Sequence, residues 1–152
     1  MKTQDLMIGD YIQDLAGDLC QVIVIDRQVA QVETLTGVHQ GDTTRYLHEA
    51  EGVPLTIEIL EKNGFHLMHG FGYSERYPTY GWGDKDGDKY ISVDVRFYDD
   101  EPNGGVQHLV KINRDSMKDD GVDSIHSCDI DYVHELQHAL KLCGIKKEIQ
   151  LC

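Results

Sequence analysis

Residues 89–97 read KYISVDVRF, and this stretch decides the fold class. From residue 91 onward its odd-numbered positions are apolar and its even-numbered positions are polar, which is the two-residue period of a strand with one buried face. Turn sequences stand on both sides, DKDGD at 84–88 and EPNGG at 101–105. The pattern predicts two antiparallel hairpins that share this strand, with a return strand over 106–112.

The C-terminal part of the chain predicts a connection followed by a helix. Residues 113–128 are rich in Asp and Ser, and we expect them to form an exposed connection. In the helix that follows, Asp129 is the expected N-cap and Gly144 the expected end. At about 100° per residue, its apolar side chains fall on one side, which we expect to face the core. They are Tyr132, Val133, Leu136, Ala139, Leu140 and Cys143.

The N-terminal part of the chain, residues 7–54, predicts a run of short strands. The segment CQVIVID at 20–26 is rich in β-branched residues, and a second apolar segment follows at 29–36. Short strands at close spacing favour a small barrel of the SH3-like type. The sequence next predicts a short helix over Thr56–Asn63, because Thr56 is a suitable N-cap and Gly64 can end the helix.

These elements predict an α+β protein with an N-terminal SH3-like β-barrel, a short central helix, antiparallel hairpins and a C-terminal amphipathic helix. We expect residues 1–54 to form the barrel-like part and residues 55–152 to pack as one compact unit. No apolar run approaches the roughly 20 residues of a membrane span, and residues 1–10 lack the apolar stretch of a signal peptide. We therefore expect a cytoplasmic protein with no membrane association.

The chain is strongly acidic, with 27 Asp and Glu against 14 Lys and Arg and a formal net charge of −13. Residues 1–83 and 84–131 each carry −7, and residues 132–152 carry +1. Such a surface repels phosphate, so direct nucleic-acid binding is disfavoured, and basic proteins are the favoured partners. The leading hypothesis is a non-enzymatic accessory or interaction protein without a cofactor, which binds a basic partner protein.

One segment has the spacing of a zinc enzyme. Residues His134, Glu135 and His138 match H-E-x-x-H, in which two histidines one helical turn apart share a zinc ion and the glutamate acts as general base. A catalytic zinc needs a third protein ligand, and neither the 14 residues after His138 nor the upstream histidines have a spacing that supplies one. A polar helix face exposed to solvent explains the same residues. Zinc-dependent hydrolysis is the alternative hypothesis.

Residues 65–83 concentrate aromatic and histidine side chains and offer a weaker candidate site. Rings of this kind can stack on a flat ligand such as a nucleotide, although aromatic side chains in half-buried strands more often belong to the core. The candidate ligand-binding residues are His66, His69, Tyr73, Tyr77, Tyr80 and Trp82. Small-ligand binding is therefore a third hypothesis. Homo-oligomerisation through an exposed strand edge within 89–112 also stays open.

Two segments, GVPLTIEILEKNGF at 52–65 and DYVHELQHAL at 131–140, together with the start IGDYI at 8–12, resemble a family of small uncharacterised proteins. The family occurs in gut Bacteroides, their phages and other mobile elements. Its members have an I-G-N-Y-V-like first strand, a P-L-T…G-F helix in mid-chain and a Y-V-H-x-L-Q helix at the end. Gln and Asn are common there at the positions of Glu135 and His138. The resemblance therefore implies a mobile-element or phage setting and a structural helix, with no established activity.

Overall fold

A computed structural model describes residues 6–26, 29–46, 51–69, 77–86, 89–100, 105–116 and 122–151. Within these ranges the chain forms two five-stranded antiparallel sheets and two helices, which confirms the predicted α+β class. In the same ranges, no helix has the length and apolar character needed to cross a membrane.

The first sheet has the strand order β4-β3-β2-β1-β5. Four strands follow one another as a meander, and β5 returns to pair with β1. The strands are β1 (Tyr11–Gln13), β2 (Leu19–Asp26), β3 (Val29–Thr34), β4 (Thr43–Tyr46) and β5 (Glu51–Gly52). Among the described residues the edge strands β4 and β5 are not paired with each other, so the sheet is open and the SH3-like barrel is not confirmed.

Alternation along the first sheet supplies its core. The β-branched segment in β2 and its neighbour β3 turn every second side chain inward, as their sequences predict. The fully buried cluster consists of Ile12, Cys20, Val22, Ala30 and Val32, each at most 1% exposed.

The second sheet has the order β10-β9-β8-β7-β6. Its strands are β6 (His66–Leu67), β7 (Thr79–Asp86), β8 (Lys89–Asp100), β9 (Gly105–Ser116) and β10 (Val122–Ile130). The predicted alternation in the central strand is confirmed, because Ile91, Val93 and Val95 are buried on one face. Both predicted hairpins are present, and their tips, residues 87–88 and 101–104, lie outside the described residues.

The predicted connection over 113–128 is wrong, because β9 continues to Ser116 and β10 pairs with it from Val122 onward. In β10 the partly buried or buried positions are His126, Cys128 and Ile130, and the residues between them are exposed. Because small polar residues occupy the outward face of β10, the segment has the composition of a loop and its two-residue period is not evident in the sequence.

Helix α1 (Ile57–Lys62) begins and ends as the sequence predicts. The Thr56 hydroxyl accepts a hydrogen bond from the Ile59 backbone N–H at 3.4 Å. Gly64 has a φ of +77°, and the Phe65 N–H donates to the Leu60 carbonyl at 3.0 Å, so the last turn closes through a left-handed glycine.

Helix α2 (Val133–Leu142) begins later than predicted. Asp129 is not its N-cap, since this residue is exposed and belongs to β10, where it pairs with Leu109 of β9. The predicted end is confirmed, because Gly144 has a φ of +73° and the Ile145 N–H donates to the Leu140 carbonyl at 2.9 Å. Of the six apolar residues expected to face the core, four are buried, while Tyr132 is 37% exposed and Cys143 is half-buried. The buried four are Val133, Leu136, Ala139 and Leu140.

Contacts divide the chain into two compact units. The first unit consists of Met1–Pro54 with Tyr132–His138, and the second consists of Leu55–Asp131 with Ala139–Cys152. The start of α2 therefore belongs with the N-terminal sheet, whereas the sequence prediction places the whole helix with residues 55–152. Within the first unit, the Val133 N–H donates to the Val53 carbonyl at 2.9 Å.

Candidate functional site

The second histidine of the H-E-x-x-H segment is hydrogen-bonded to a buried carboxylate. His138 Nε2 lies 2.8 Å and 3.0 Å from the two carboxylate oxygens of Asp10. Asp10 has no exposed surface, and its Oδ2 also accepts a hydrogen bond from the Met7 N–H at 2.6 Å. A carboxylate can only accept, so Nε2 of His138 is the donor. His138 thus joins α2 to the segment that leads into β1.

The glutamate of the segment stabilises the start of its own helix. The Glu135 carboxylate accepts a hydrogen bond from the Tyr132 backbone N–H at 3.1 Å, which is the reach-back half of a capping box. A carboxylate in the first helical turn is further stabilised by the positive end of the helix dipole. The residue that a zinc mechanism would use as general base is therefore engaged as a capping group.

The first histidine is buried, and this contradicts the solvent-exposed polar face that the sequence offers as the simple explanation. His134 is 3% exposed, and its neighbour Gln137 is 7% exposed. The His134 ring stacks on Tyr132 at 5.7 Å and meets the His138 ring edge-on at 5.6 Å. A single apolar stripe on a helical wheel cannot reveal that α2 is buried on a second side.

The described structure shows no metal-binding group around the motif. In the part of the chain that the structure describes, no group of three or more His, Cys, Asp and Glu side chains is placed to hold a metal ion. The acceptor of His138 is Asp10, and Glu135 points to the backbone of Tyr132. Glu135 and His138 are thus both engaged with other groups of the protein.

The aromatic and histidine candidates that the structure describes have different surroundings. Tyr73 lies outside the described residues. The rings of Tyr77 and Tyr98 pack together with their centroids 5.1 Å apart. His69 is exposed to solvent. Tyr80 is buried, with its ring edge-on to Phe97 at 5.8 Å. Burial raises the pKa of Tyr80, and the nearby carboxylates of Glu61 and Glu58 raise it further.

Trp82 and His66 line a groove of about 580 Å³ that also contains Met68 and Asp94. Trp82 borders a second pocket of about 370 Å³, where Asp84 and Lys147 are among the lining residues. Burial lowers the pKa of Lys147, and the Asp84 carboxylate opposes this effect. The sequence identifies the tryptophan as a candidate, but it gives no signal for a lysine 65 positions away.

Two loops meet at one end of the first sheet and form a surface that no pattern in the sequence indicates. The turn 14–18 joins β1 to β2, and the loop 35–42 joins β3 to β4; in a meander both lie at the same end. The Leu35 N–H donates to the Leu19 carbonyl at 2.7 Å, and the Leu19 N–H donates to Thr36 Oγ1 at 2.9 Å. These bonds fix the start of the second loop against the first residue of β2, directly after the turn 14–18.

Each loop also has internal hydrogen bonds that fix its shape. Asp14 Oδ1 accepts from the N–H groups of Ala16 and Asp18, at 2.9 Å and 2.8 Å. The Asp18 carboxylate lies directly against Gly37, whose φ is +80°. Any side chain at position 37 would therefore meet this carboxylate and would also be strained.

The two loops expose apolar side chains next to carboxylates. Leu15 is 78% exposed and Val38 is 95% exposed, which makes them the most exposed large apolar side chains among the described residues. Asp14, Asp18 and Asp42 stand in the same two loops. The chain has no Lys or Arg from residue 3 to 26 or from 28 to 44. We call these five residues the acidic tip.

Comparison with known proteins gives no further indication of identity, because no family model, no curated protein and no solved structure matches this chain.

Proposed function

We propose that this protein is a non-enzymatic interaction protein whose acidic tip binds a basic segment of a partner protein. The single observation that carries the proposal is that Leu15 and Val38, 78% and 95% exposed, stand with carboxylates on two adjacent loops. Large apolar side chains held in water on an ordered surface are typical of binding sites.

The two kinds of side chain have different roles in this proposal. Burial of an exposed aliphatic side chain contributes about 1.5–3 kcal/mol, so Leu15 and Val38 supply affinity. The carboxylates and the net charge of −13 steer a basic partner toward the surface and disfavour acidic ones. The partner segment that fits carries Lys or Arg next to apolar residues.

The loops are already held in shape by hydrogen bonds, which favours tight recognition. Asp14 orders the first loop, and the bond from Leu19 of β2 to Thr36 fixes the start of the second. A surface ordered before binding loses less conformational entropy when a partner docks.

We further propose that the protein is cytoplasmic and comes from a phage or another mobile element. We also propose that its first sheet closes as an SH3-like barrel.

Titration calorimetry with three short synthetic peptides tests the proposal. A peptide of alternating lysine and leucine is expected to bind, whereas peptides of alternating glutamate and leucine, or lysine and serine, are expected to bind weakly. The double variant Leu15→Ser/Val38→Ser should weaken binding of the first peptide by more than about a hundredfold, since about 1.5 kcal/mol is lost for each side chain. Higher salt should weaken binding in the wild type.

Leu142→Ser is the matched control, because Leu142 is also an exposed leucine, 72% exposed at the end of α2. It should bind the lysine–leucine peptide as the wild type does. Equal binding by the wild type and the double variant would contradict the proposal, and so would equal loss in the control.

Zinc-dependent hydrolysis through His134, Glu135 and His138 is a less favoured proposal. The hydrogen bonds of Glu135 to Tyr132 and of His138 to Asp10 support a structural role for the segment instead. Elemental analysis of protein purified without a histidine tag separates the two. Zinc below about a tenth of an equivalent would remove the hydrolase proposal, and a full equivalent would support it.

Small-ligand binding next to Trp82 is favoured by one observation, the pocket of about 370 Å³. Its volume lies within the range of small-molecule sites. A melting temperature unchanged across a panel of nucleotides would count against nucleotide-like ligands.

A further inference from the structure

Two aromatic rings of the second unit hold a lysine ammonium group of the same chain. Lys147 Nζ lies 4.7 Å from the ring centroid of Trp82 and 5.6 Å from that of Phe65. The two ring centroids are 6.5 Å apart, and the ring planes are tilted by 41°. The ammonium group therefore faces both rings at distances where cation–π attraction is significant.

A carboxylate acts on the same ammonium group. Asp84 favours the charged form of Lys147, against burial, which lowers the pKa of that lysine. Two aromatic faces and one carboxylate are the groups that proteins use to bind organic ammonium ions, and tryptophan is the strongest of the aromatic partners. The composition of the site thus matches a cation as its ligand.

The C-terminal segment carries Lys147 to these rings. Ile145 and Ile149 are buried on either side of it, at 6% and 1% exposure. Asn63 holds the end of the segment through two hydrogen bonds with the backbone of Gln150, at 2.8 Å and 2.9 Å. The lysine is therefore presented by an ordered segment that has its own attachments.

The site is open to a pocket. About 370 Å³ of space lies beside Lys147, bounded by Trp82, Asp84, Ile91 and Ile145 among others. A group of the size of tetramethylammonium can therefore approach the tryptophan from the pocket side while the C-terminal segment keeps its bonds to Asn63.

We propose that Phe65, Trp82 and Asp84 form a binding site for alkylammonium groups, which Lys147 occupies when no other cation is present. The ligand is an ammonium group of a free amine or of a lysine side chain. Because Lys147 occupies the site, the apparent affinity for an added cation equals the intrinsic affinity multiplied by the fraction of molecules in which the site is vacant. This inference does not depend on the acidic tip, which lies in the other unit.

Fluorescence of Trp82, the only tryptophan of the chain, reports on this site directly. The wild type, Lys147→Ala and Lys111→Ala are titrated with tetramethylammonium chloride and, separately, with lysine amide, at constant ionic strength. Lys111 is an exposed lysine on β9 and serves as the charge-matched control. We expect saturable binding by Lys147→Ala, at least about tenfold tighter than by the wild type or the control.

Adding Asp84→Asn to Lys147→Ala should weaken binding of either cation several-fold, because the carboxylate is lost. Binding of both probes would assign the site to ammonium groups generally, and binding of tetramethylammonium alone would assign it to free quaternary amines. Absence of a saturable response in a folded Lys147→Ala protein would overturn the inference. Failure of the lysine–leucine peptide at the acidic tip would leave these results unchanged, so the two proposals fail separately.

Proton NMR of the wild type covers the case in which Lys147→Ala does not fold. The ε-methylene protons of Lys147 should resonate upfield of other lysines, because they lie over two ring faces. Excess tetramethylammonium should move them toward ordinary lysine positions as it takes their place. Resonances that stay fixed at saturating cation would refute the competition that the inference requires.

Discussion

Replacement of His138 by alanine removes the side-chain partner of a fully buried carboxylate. Asp10 would keep the Met7 N–H and lose the donor that lies 2.8 Å from Oδ2 and 3.0 Å from Oδ1. Loss of one partner from a buried pair of this kind costs about 3–5 kcal/mol. Because small domains are stable by about 5–15 kcal/mol, His138→Ala should remove a large share of the free energy of unfolding.

The comparison with His138→Gln isolates the hydrogen bond. The glutamine amide nitrogen reaches nearly the position of Nε2 and can still donate to Asp10, so this variant should lose only about 1 kcal/mol. Both proteins are unfolded in urea and followed by circular dichroism. With a slope of about 2 kcal/mol per molar urea, the midpoint should fall by about 1.5–2.5 M for alanine and by about 0.5 M for glutamine.

A double-mutant cycle with Asp10→Asn completes the test. In the Asp10→Asn background, His138→Ala should cost less than in the wild type, with a coupling free energy of about 1–3 kcal/mol. Equal losses for alanine and glutamine, or a loss below about 0.5 kcal/mol for alanine, would refute the assignment of His138 as the donor that satisfies Asp10.

Three further changes test the local structure. Gly52→Ala places a methyl group 2.5 Å from ring carbons of Tyr132, so the free energy of unfolding should fall by about 1–3 kcal/mol in a urea titration. Thr56→Ala removes the cap that accepts from Ile59, and about 1 kcal/mol should be lost in the same assay. In the wild type the free energy of unfolding should fall as pH rises above about 10, because the phenol of Tyr80 resists ionisation in the folded state and ionises in the unfolded chain. Tyr80→Phe should show a smaller fall over the same pH range.

Different outcomes would contradict these expectations one by one. An unchanged urea midpoint for Gly52→Ala would mean that the Tyr132 ring moves aside at no cost. Equal stability of Thr56→Ala and the wild type would remove the capping role. A pH dependence shared fully by Tyr80→Phe and the wild type would assign the alkaline loss to other groups.

Local signals in the sequence predict the elements whose geometry depends on near neighbours. Thr56 and Gly64 bound α1 as expected, because a cap and a left-handed glycine act within one turn. The predicted start of α2 is wrong because it depends on a residue distant in the sequence. Asp129 has the chemistry of an N-cap, but pairing with Leu109 on β9 holds it in a strand. A distant strand partner overrides the local preference.

The candidate site depends on contacts that no local pattern contains. The H-E-x-x-H spacing is visible in the sequence, whereas the partner of His138 is Asp10, 128 positions away. The sequence does not show that the turn 14–18 and the loop 35–42 lie at the same end of the sheet, so it does not single out Leu15 and Val38. Alternation along a strand predicts which of its side chains are buried. It cannot predict which loop side chains are exposed to solvent.

The most direct test of the proposed function is a map of the binding surface. Two-dimensional nitrogen–proton NMR spectra of the labelled protein are recorded while the lysine–leucine peptide is added. The account predicts that the amide signals of residues 14–18 and 35–42 shift most and that Leu15→Ser/Val38→Ser abolishes these shifts. Shifts that are absent there, or that centre on α2 and the H-E-x-x-H segment, would contradict it.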